Sequence, residues 1–192
     1  MFLKSIINKV HSIITYTFGI LIFIPLKILS LVHIISFFSV VQIIAYTPGK
    51  LGIFTRRIWY KTSLKKCGKR LFMEFGSMIT YKETEVGNHV YIGGFSQVDI
   101  AKIGHDALIA YNVIISGKKH MHGTTKKKIM RLQEGAIRKI IIEDDVWVGS
   151  GALVFEDVAK GTIIGTGSFV NKKFEEYSII GGVPAKIIGK RN

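Results

Sequence analysis

Acidic residues are scarce in this chain: Asp and Glu number 13 against 27 Lys and Arg, a formal charge of +14 over 192 residues. Such a balance restricts partners to polyanions: nucleic acid, an anionic bilayer, or a phosphate-rich small molecule. Helix-turn-helix, zinc-finger and aromatic RNP-type patterns are all missing, which argues against nucleic acid. There is one cysteine, Cys67, so no disulfide can form within the chain, as suits a reducing compartment. No Cys–His frame surrounds it, and it reads as a small packing residue rather than a nucleophile. Prolines number three, and glycine, present 20 times, does the punctuating.

What is abundant is apolar surface, and it is unevenly spread. Mean hydropathy is +0.32, and the excess sits in the first fifty residues. Met1 to Thr17 read as an amphipathic helix, with Phe2, Leu3, Ile6, Ile7, Val10, Ile13 and Ile14 at helical spacing opposite Lys4, Ser5, Lys9 and Ser12. Phe18 to Tyr46 then carry a single charge, Lys27. A spanning helix needs about 20 apolar residues, and Ile28 to Tyr46 barely supply them. The better fit is a helix or hairpin lying in one leaflet, broken at Pro25, with Lys27 reaching the headgroups. Lys50, Arg56, Arg57, Lys61, Lys65 and Lys66 would then hold the next segment at an anionic cytoplasmic surface. A cleaved signal peptide does not fit, because the apolar run is too long and no small-residue cleavage site closes it. The plainer alternative is a helical hairpin buried in an oligomer.

From Val86 the rhythm changes. Branched residues fall six apart, each often followed by glycine or another small residue: Val86-Gly87, Ile92-Gly93 and Val98-Asp99, then after a one-residue deletion Ile103-Gly104, Ile109-Ala110 and Ile115-Ser116. A basic insertion, 117–139, intervenes. The pattern resumes at Ile142-Glu143, Val148-Gly149 and Val154-Phe155, and after a register change at Ile164-Gly165 and Val170-Asn171. A period of six belongs to neither helix nor ordinary strand; it marks hexapeptide parallel β-helix repeats. Each hexad makes one short strand and one turn, and three hexads close a triangular coil. The branched residues point inward and stack, so Ile92, Ile109, Val148 and Ile164 should pile in columns. The chain thus divides into 1–70, a membrane-associated helical segment with a basic linker, and 71–192, a mainly β solenoid with a loop insertion and a C-terminal tail.

The segments DVWVGSGA (Asp145 to Ala152), IIGTGSFV (Ile163 to Val170) and IGGVPAKIIGK (Ile180 to Lys190) resemble the hexapeptide-repeat acetyltransferases, which include galactoside, maltose and polysaccharide O-acetyltransferases. The likeness runs from about Val86 to Arg191. It implies a left-handed parallel β-helix, a homotrimer, and acetyl-CoA as co-substrate at sites between subunits. The expected activity is transfer of acetyl to a hydroxyl of a sugar, surface polysaccharide or glycolipid precursor at the inner face of the cell membrane.

Acyl transfer to a hydroxyl needs a base, donors for the tetrahedral oxyanion and a seat for the thioester. Histidine suits the first role. His11 and His33 lie in the apolar segment, while His89 and His105 occupy hexad turns, where solvation is the ordinary reading. His120 and His122 lie in the insertion, where a loop thrown from a rigid solenoid is expected to carry function. By the resemblance His120 is the base and His122 the reserve; otherwise both are exposed loop residues. The resemblance further implies that Ser150 meets the thioester, and that Thr166, Gly167, Asn171 and Lys172 line the pantetheine groove. It places Lys186 and Arg191 near phosphate or adenine, although a solvated surface role suits each lysine equally. Trp147 either walls the acceptor pocket or packs on the outside of a coil at the trimer interface. Asp99 is an orienting carboxylate or acceptor ligand, or simply fills a turn; Glu134 has the same standing. Lys118, Lys119, Lys126, Lys127 and Lys128 make the loop basic enough to recruit an anionic acceptor, such as a nucleotide sugar or a diphosphate-linked lipid.

Two other functions fit the same coil. A γ-carbonic-anhydrase-like zinc site would need three histidines, with His89, His105 and His120 as candidates; the close pair expected on one loop, about five residues apart, is missing. A non-catalytic trimeric membrane scaffold would leave VGSGA and VPAK without a purpose.

Overall fold

The computed structural model describes residues 2–118, 123 and 125–192. Three helices come first: α1 (Phe2–Leu31), α2 (Phe37–Ala45) and α3 (Gly49–Ser63). The rest is a solenoid. Its first coil holds β1 (Lys66–Cys67), β2 (Phe72–Met73) and β3 (Met78–Ile79); the second β4 (Glu85–Val86), β5 (Tyr91–Ile92) and β6 (Gln97–Val98). The third holds β7 (Ala101–Ile103), β8 (Leu108–Ile109) and β9 (Ile114–Ile115). The fourth, after the insertion, holds β10 (Ile140–Ile142), β11 (Trp147–Val148) and β12 (Leu153–Val154). A last turn carries β13 (Ile163–Ile164) and β14 (Phe169–Val170), and the chain ends in the hairpin β15 (Ser178–Gly181) and β16 (Lys186–Lys190).

The strands stack into three parallel faces. The first face is β1-β4-β7-β10, the second β2-β5-β8-β11-β13-β15 with β16 antiparallel at its end, and the third β3-β6-β9-β12-β14. Register is strict. Ile92 pairs with Ile109, Ile109 with Val148, and Val148 with Ile164, so the four residues expected to pile together form one buried column with Met73 below and Ile180 above. Ile79, Val98, Ile115, Val154 and Val170 form the column of the third face, and Cys67, Val86, Ile103 and Ile142 that of the first. The coil therefore starts a full turn before Val86. Cys67 and Met73 occupy inward places there, and neither is branched, which hid them from the periodic pattern.

The helices differ from expectation in four ways. α1 runs through Pro25 without ending, since a proline removes one donor from the ladder and a long apolar helix can carry that loss. The break comes at His33, whose φ is 60°. Its N–H donates to Ser30 O at 3.3 Å and Ile34 N–H donates to Leu29 O at 2.9 Å, the paired bonds of a Schellman ending with histidine where glycine is usual. The stretch long and apolar enough to cross a membrane is consequently Ile14–Leu31, mean hydropathy 1.9 and 6% buried, rather than Ile28 to Tyr46. Lys27 does not reach outward: its Nζ donates to Thr62 O at 3.1 Å and Ser63 Oγ at 2.8 Å, at the C-terminal end of α3, where a cation meets exposed carbonyls.

Arg56 is the fourth difference, fully buried instead of surface-bound. Its Nη1 donates to the carbonyls of Ile44 at 2.8 Å, Ala45 at 3.2 Å and Thr47 at 2.9 Å, and its Nε to Met73 O at 3.2 Å. One guanidinium thus satisfies the end of α2 and joins it to the first coil. Gly52 makes room: a Cβ there would lie 1.7 Å from Thr47 O and 2.7 Å from Arg56 Nη1. Tyr60 Oη accepts from Ile79 N at 3.0 Å, and Val40, Val41, Ile44 and Trp59 are buried with it. α2 and α3 are the cap that an open solenoid end requires.

Candidate active site

The coil is interrupted once by a long insertion, directly after Ser116, at the corner where the third face turns into the first. Residues at this corner repeat one coil apart: Thr80, Asp99 and Ser116 each follow a strand of the third face. Asp99 is buried and gathers them. Thr80 Oγ1 donates to Asp99 Oδ1 at 2.7 Å, Gln97 Nε2 to the same oxygen at 3.1 Å, and Ser116 Oγ to Oδ2 at 2.6 Å. Lys118 Nζ lies 3.2 Å from Oδ2 and 5.5 Å from the centre of the Tyr81 ring. Burial works to raise this carboxyl, but the hydrogen bonds from Ser116, Thr80 and Gln97, with the Lys118 charge, outweigh it and hold it below the ordinary value.

The loop leaves and returns through a narrow neck. Arg138 N donates to Gly117 O at 3.2 Å, and a Cβ on Gly117 would fall 1.6 Å from Arg138 O. On the return side Arg138 bonds Glu156 through Nη2 and Asp157 through Nη1 at 2.8 Å. Lys139 Nζ meets Glu85 Oε1 at 3.1 Å, with Lys65 at 2.9 Å on the same oxygen; these two lysines bring the Glu85 carboxyl down to about 2. Inside the loop, Gln133 Nε2 donates to the carbonyls of Thr125 at 2.9 Å and Lys128 at 2.8 Å. His120, His122 and Lys119 lie outside the described residues. Lys126, Lys127, Lys128 and Glu134 are exposed, whereas Lys118 is committed to Asp99.

Ser150, Thr166 and Gly167 come together at a different corner, between the second and third faces. Gly167 N donates to Ser150 O at 2.8 Å, and Gly151 N to Tyr111 O at 2.8 Å. Gly149 lets the coils close: a Cβ on it would sit 2.6 Å from Thr166 N. Gly151 and Gly167 both hold the left-handed conformation, and the space beside Gly167 is open for 4 Å. The result is a ledge along one edge of the coil, open at Gly151 and Gly167 and flanked by Ser150 and Thr166. The outer face of β9, β12 and β14 separates it from the Asp99 corner.

Asn171 and Lys172 follow β14 at the Asp99 corner, towards the C-terminal end. Lys172 and Lys186 line one open groove with Lys173, Phe174, Glu175 and Ile187, and Lys172 Nζ lies 5.4 Å from the Phe174 ring centre. Arg191 stands apart at the remaining corner, where Nη1 bonds Asp145 Oδ2 at 2.8 Å and its backbone N donates to Tyr177 O at 2.8 Å. Trp147 lies on the outer side of the second face, half exposed, between Leu108 and Ile163 of the neighbouring strands. His89 and His105 occupy that same remaining corner. His89 Nδ1 is 3.1 Å from Asp106 Oδ1, and His105 Nδ1 accepts from Asn88 N at 3.0 Å. Among the described residues no group of three His, Cys, Asp or Glu side chains is placed to hold a metal ion.

No family model matches the chain. Over 120 residues it is 32% identical to a putative lipopolysaccharide biosynthesis O-acetyl transferase of Escherichia coli K12, an alignment covering 56% of this chain and 58% of that one. Among solved structures, a hexapeptide-repeat-containing acetyltransferase of Vibrio cholerae superposes with a TM-score of 0.69 at 17% identity, over 79% of this chain and 87% of the other. A galactoside acetyltransferase in complex with coenzyme A gives 0.69 at 22%, over 80% and 78%. The fold is that of the hexapeptide-repeat acetyltransferases. The resemblance drawn from the three motifs therefore holds.

Within this hexapeptide-repeat frame, sequence reasoning missed Thr80, Gln97 and Lys118 as partners of Asp99, and the anchoring of the loop by Arg138. A signal existed. Thr80, Asp99 and Ser116 each come directly after the inward residue of a third-face strand, so stacking the hexads in register would have put two hydroxyls and a carboxylate in one column.

Proposed function

We propose that this chain is an acetyl-CoA-dependent O-acetyltransferase acting on a sugar, surface polysaccharide or glycolipid precursor, working as a homotrimer at the cytoplasmic face of the cell membrane. The observation that carries the reading is the pinned root of the insertion. A buried carboxylate holds Ser116 and Lys118, four and two residues before His120 in sequence, while Arg138 secures the return strand. Such anchoring suits a loop that must present a base in one orientation. The E. coli relative's name points to the same reaction class on a surface glycan, and the coenzyme A complex of the galactoside enzyme points to the donor.

In this mechanism His120 takes the proton of the acceptor hydroxyl as its oxygen attacks the thioester carbonyl. Backbone N–H groups near Ser150 stabilise the oxyanion, and the ledge of Gly151 and Gly167 seats the pantetheine arm. Collapse releases the coenzyme A thiolate, which takes the proton back from the imidazolium. No covalent acyl-enzyme forms. His122 is the reserve base. Asn171, Lys172 and Lys186 meet the remainder of the coenzyme, with Arg191 beyond them; Asp99 orients the loop and Trp147 faces the neighbouring subunit or the acceptor. The trimer is supported by the outer side of the second face, where Tyr91, Leu108, Trp147, Ile163 and Ile179 form an apolar column, the kind of surface that pairs with a second chain. Membrane association is supported by the exposed side chains of Phe18, Leu21, Ile24, Ile28 and Leu31 on α1.

The test is coenzyme A release against sugars, nucleotide sugars and lipid-linked sugars, with wild type and His120→Ala. Turnover on at least one acceptor and a loss of about a hundredfold in the variant are expected. Absence of release with every acceptor, or a variant that keeps its rate, overturns the reading.

A further inference from the structure

Most cations of the helical cap are spoken for: Lys27, Arg56 and Lys61 hold carbonyls and Lys65 holds Glu85. Lys50 and Arg57 are different. Both are exposed, and neither makes a side-chain hydrogen bond or ion pair among the described residues. No neutralising carboxylate is near in sequence either, because no Asp or Glu precedes Glu74.

Their placement is specific. Lys50, Ile53, Phe54 and Arg57 follow one another at i, i+3, i+4 and i+7 of α3, so they share one face. That face forms a groove with Thr15 and Tyr16 of α1 and Phe72 of β2. Its floor is firm. The Phe54 ring meets Tyr16 edge-on with centroids 4.5 Å apart, and a Cβ on Gly19 would fall 2.4 Å from Phe54. The groove thus has apolar walls with a cation from each end of one helix face. Further along α1, Phe18, Leu21 and Ile24 are exposed.

We infer that this groove binds the phosphate headgroup of an anionic membrane phospholipid. A guanidinium grips two phosphate oxygens in its fork and an ammonium adds a mobile point charge, while Ile53, Phe54 and Phe72 take the first carbons of the lipid. Free phosphate would not use those walls. The inference rests on the membrane-associated reading of α1. It places the lipid on the cap, two coils away from the insertion, and so assigns it an anchoring role apart from acyl transfer.

The test uses the full chain with vesicles of phosphatidylglycerol or phosphatidylcholine, comparing Lys50→Gln/Arg57→Gln with a control of equal charge loss, Lys69→Gln/Arg70→Gln. The first variant should bind phosphatidylglycerol vesicles about thirtyfold more weakly than wild type, and the control only a few-fold. Wild type should prefer phosphatidylglycerol, and millimolar inorganic phosphate should not displace it. Equal losses in the two variants, equal binding to both lipids, or displacement by phosphate overturns the inference. Coenzyme A release on a water-soluble acceptor should be unchanged in Lys50→Gln/Arg57→Gln. A chain without that activity that still shows groove-dependent binding would sink the acetyltransferase reading and leave this one standing.

Discussion

Asp99 accepts a 2.6 Å hydrogen bond from Ser116, its counterpart one coil further along. That bond ties the rigid stack to the first residues of the insertion, since Lys118 closes on the same oxygen. A buried carboxylate with three donors and a cation is fully compensated, which is the condition under which burial of charge is tolerated. Asp99 thus fastens the start of the insertion through Ser116 and Lys118.

Asp99→Asn should keep the shape and lose the charge. Its amide NH₂ would face hydroxyl donors that now find an acceptor. Unfolding free energy should fall by about 2 kcal/mol at pH 7, read by urea denaturation, and coenzyme A release should fall more than tenfold through misplacement of the loop. A variant with wild-type stability and rate would remove Asp99 from the root of the site.

The same carboxyl sets a pH dependence. Its folded-state pKa lies below the unfolded value, so its contribution is complete above about pH 5 and is lost as pH falls through the folded pKa. The stability difference between wild type and Asp99→Asn should therefore be constant from pH 7 to 5 and shrink below about pH 4. A difference that grows on acidification would reverse the sign of the argument.

Gly117→Ala tests the neck. The added methyl has no room beside Arg138 O, so the loop must shift while the column residues keep their places. Turnover should drop by about a hundredfold, with a smaller loss of melting temperature than Ile109→Ala. The latter leaves a cavity in a fully buried column and should cost about 3 kcal/mol.

Arg56→Gln addresses the cap. Glutamine reaches one carbonyl at most and leaves the end of α2 with unsatisfied acceptors. The expected cost is about 3 kcal/mol, with faster amide exchange in α2 and α3 than in β8 and β11. Uniform loss of protection through the coil would mean that cap and coil unfold as one unit.

How much was legible follows from range. Ile92, Ile109, Val148 and Ile164 could be stacked from their spacing alone, because each hexad repeats the same local geometry and the insertion only pauses it. Gly167 came from the family resemblance alone, and the spacing gave no hint that Gly151 stands beside it. Cys67 and Met73 were not legible either, since their inward positions come from pairing with Val86 and Ile92 and not from branching. Arg56 and Lys27 looked like surface cations because composition reports charge and not direction. Both find carbonyls at helix ends that only the packing of α1, α2 and α3 brings within reach. The grouping of candidate contacts was likewise hidden. Ser150 and Gly167 share a corner, Lys172 and Lys186 share a groove, and Arg191 sits with Asp145 at another edge altogether.

The amino-acid order alone determined the three-sided coil, because a six-residue period leaves one way to turn branched residues inward and glycines to the corners. It also determined where the coil is interrupted. Tertiary structure alone decided which charges are spent within the fold and which stay free, because ion pairs and capped carbonyls join residues from separate coils and helices. Contacts of that range leave no period in the chain.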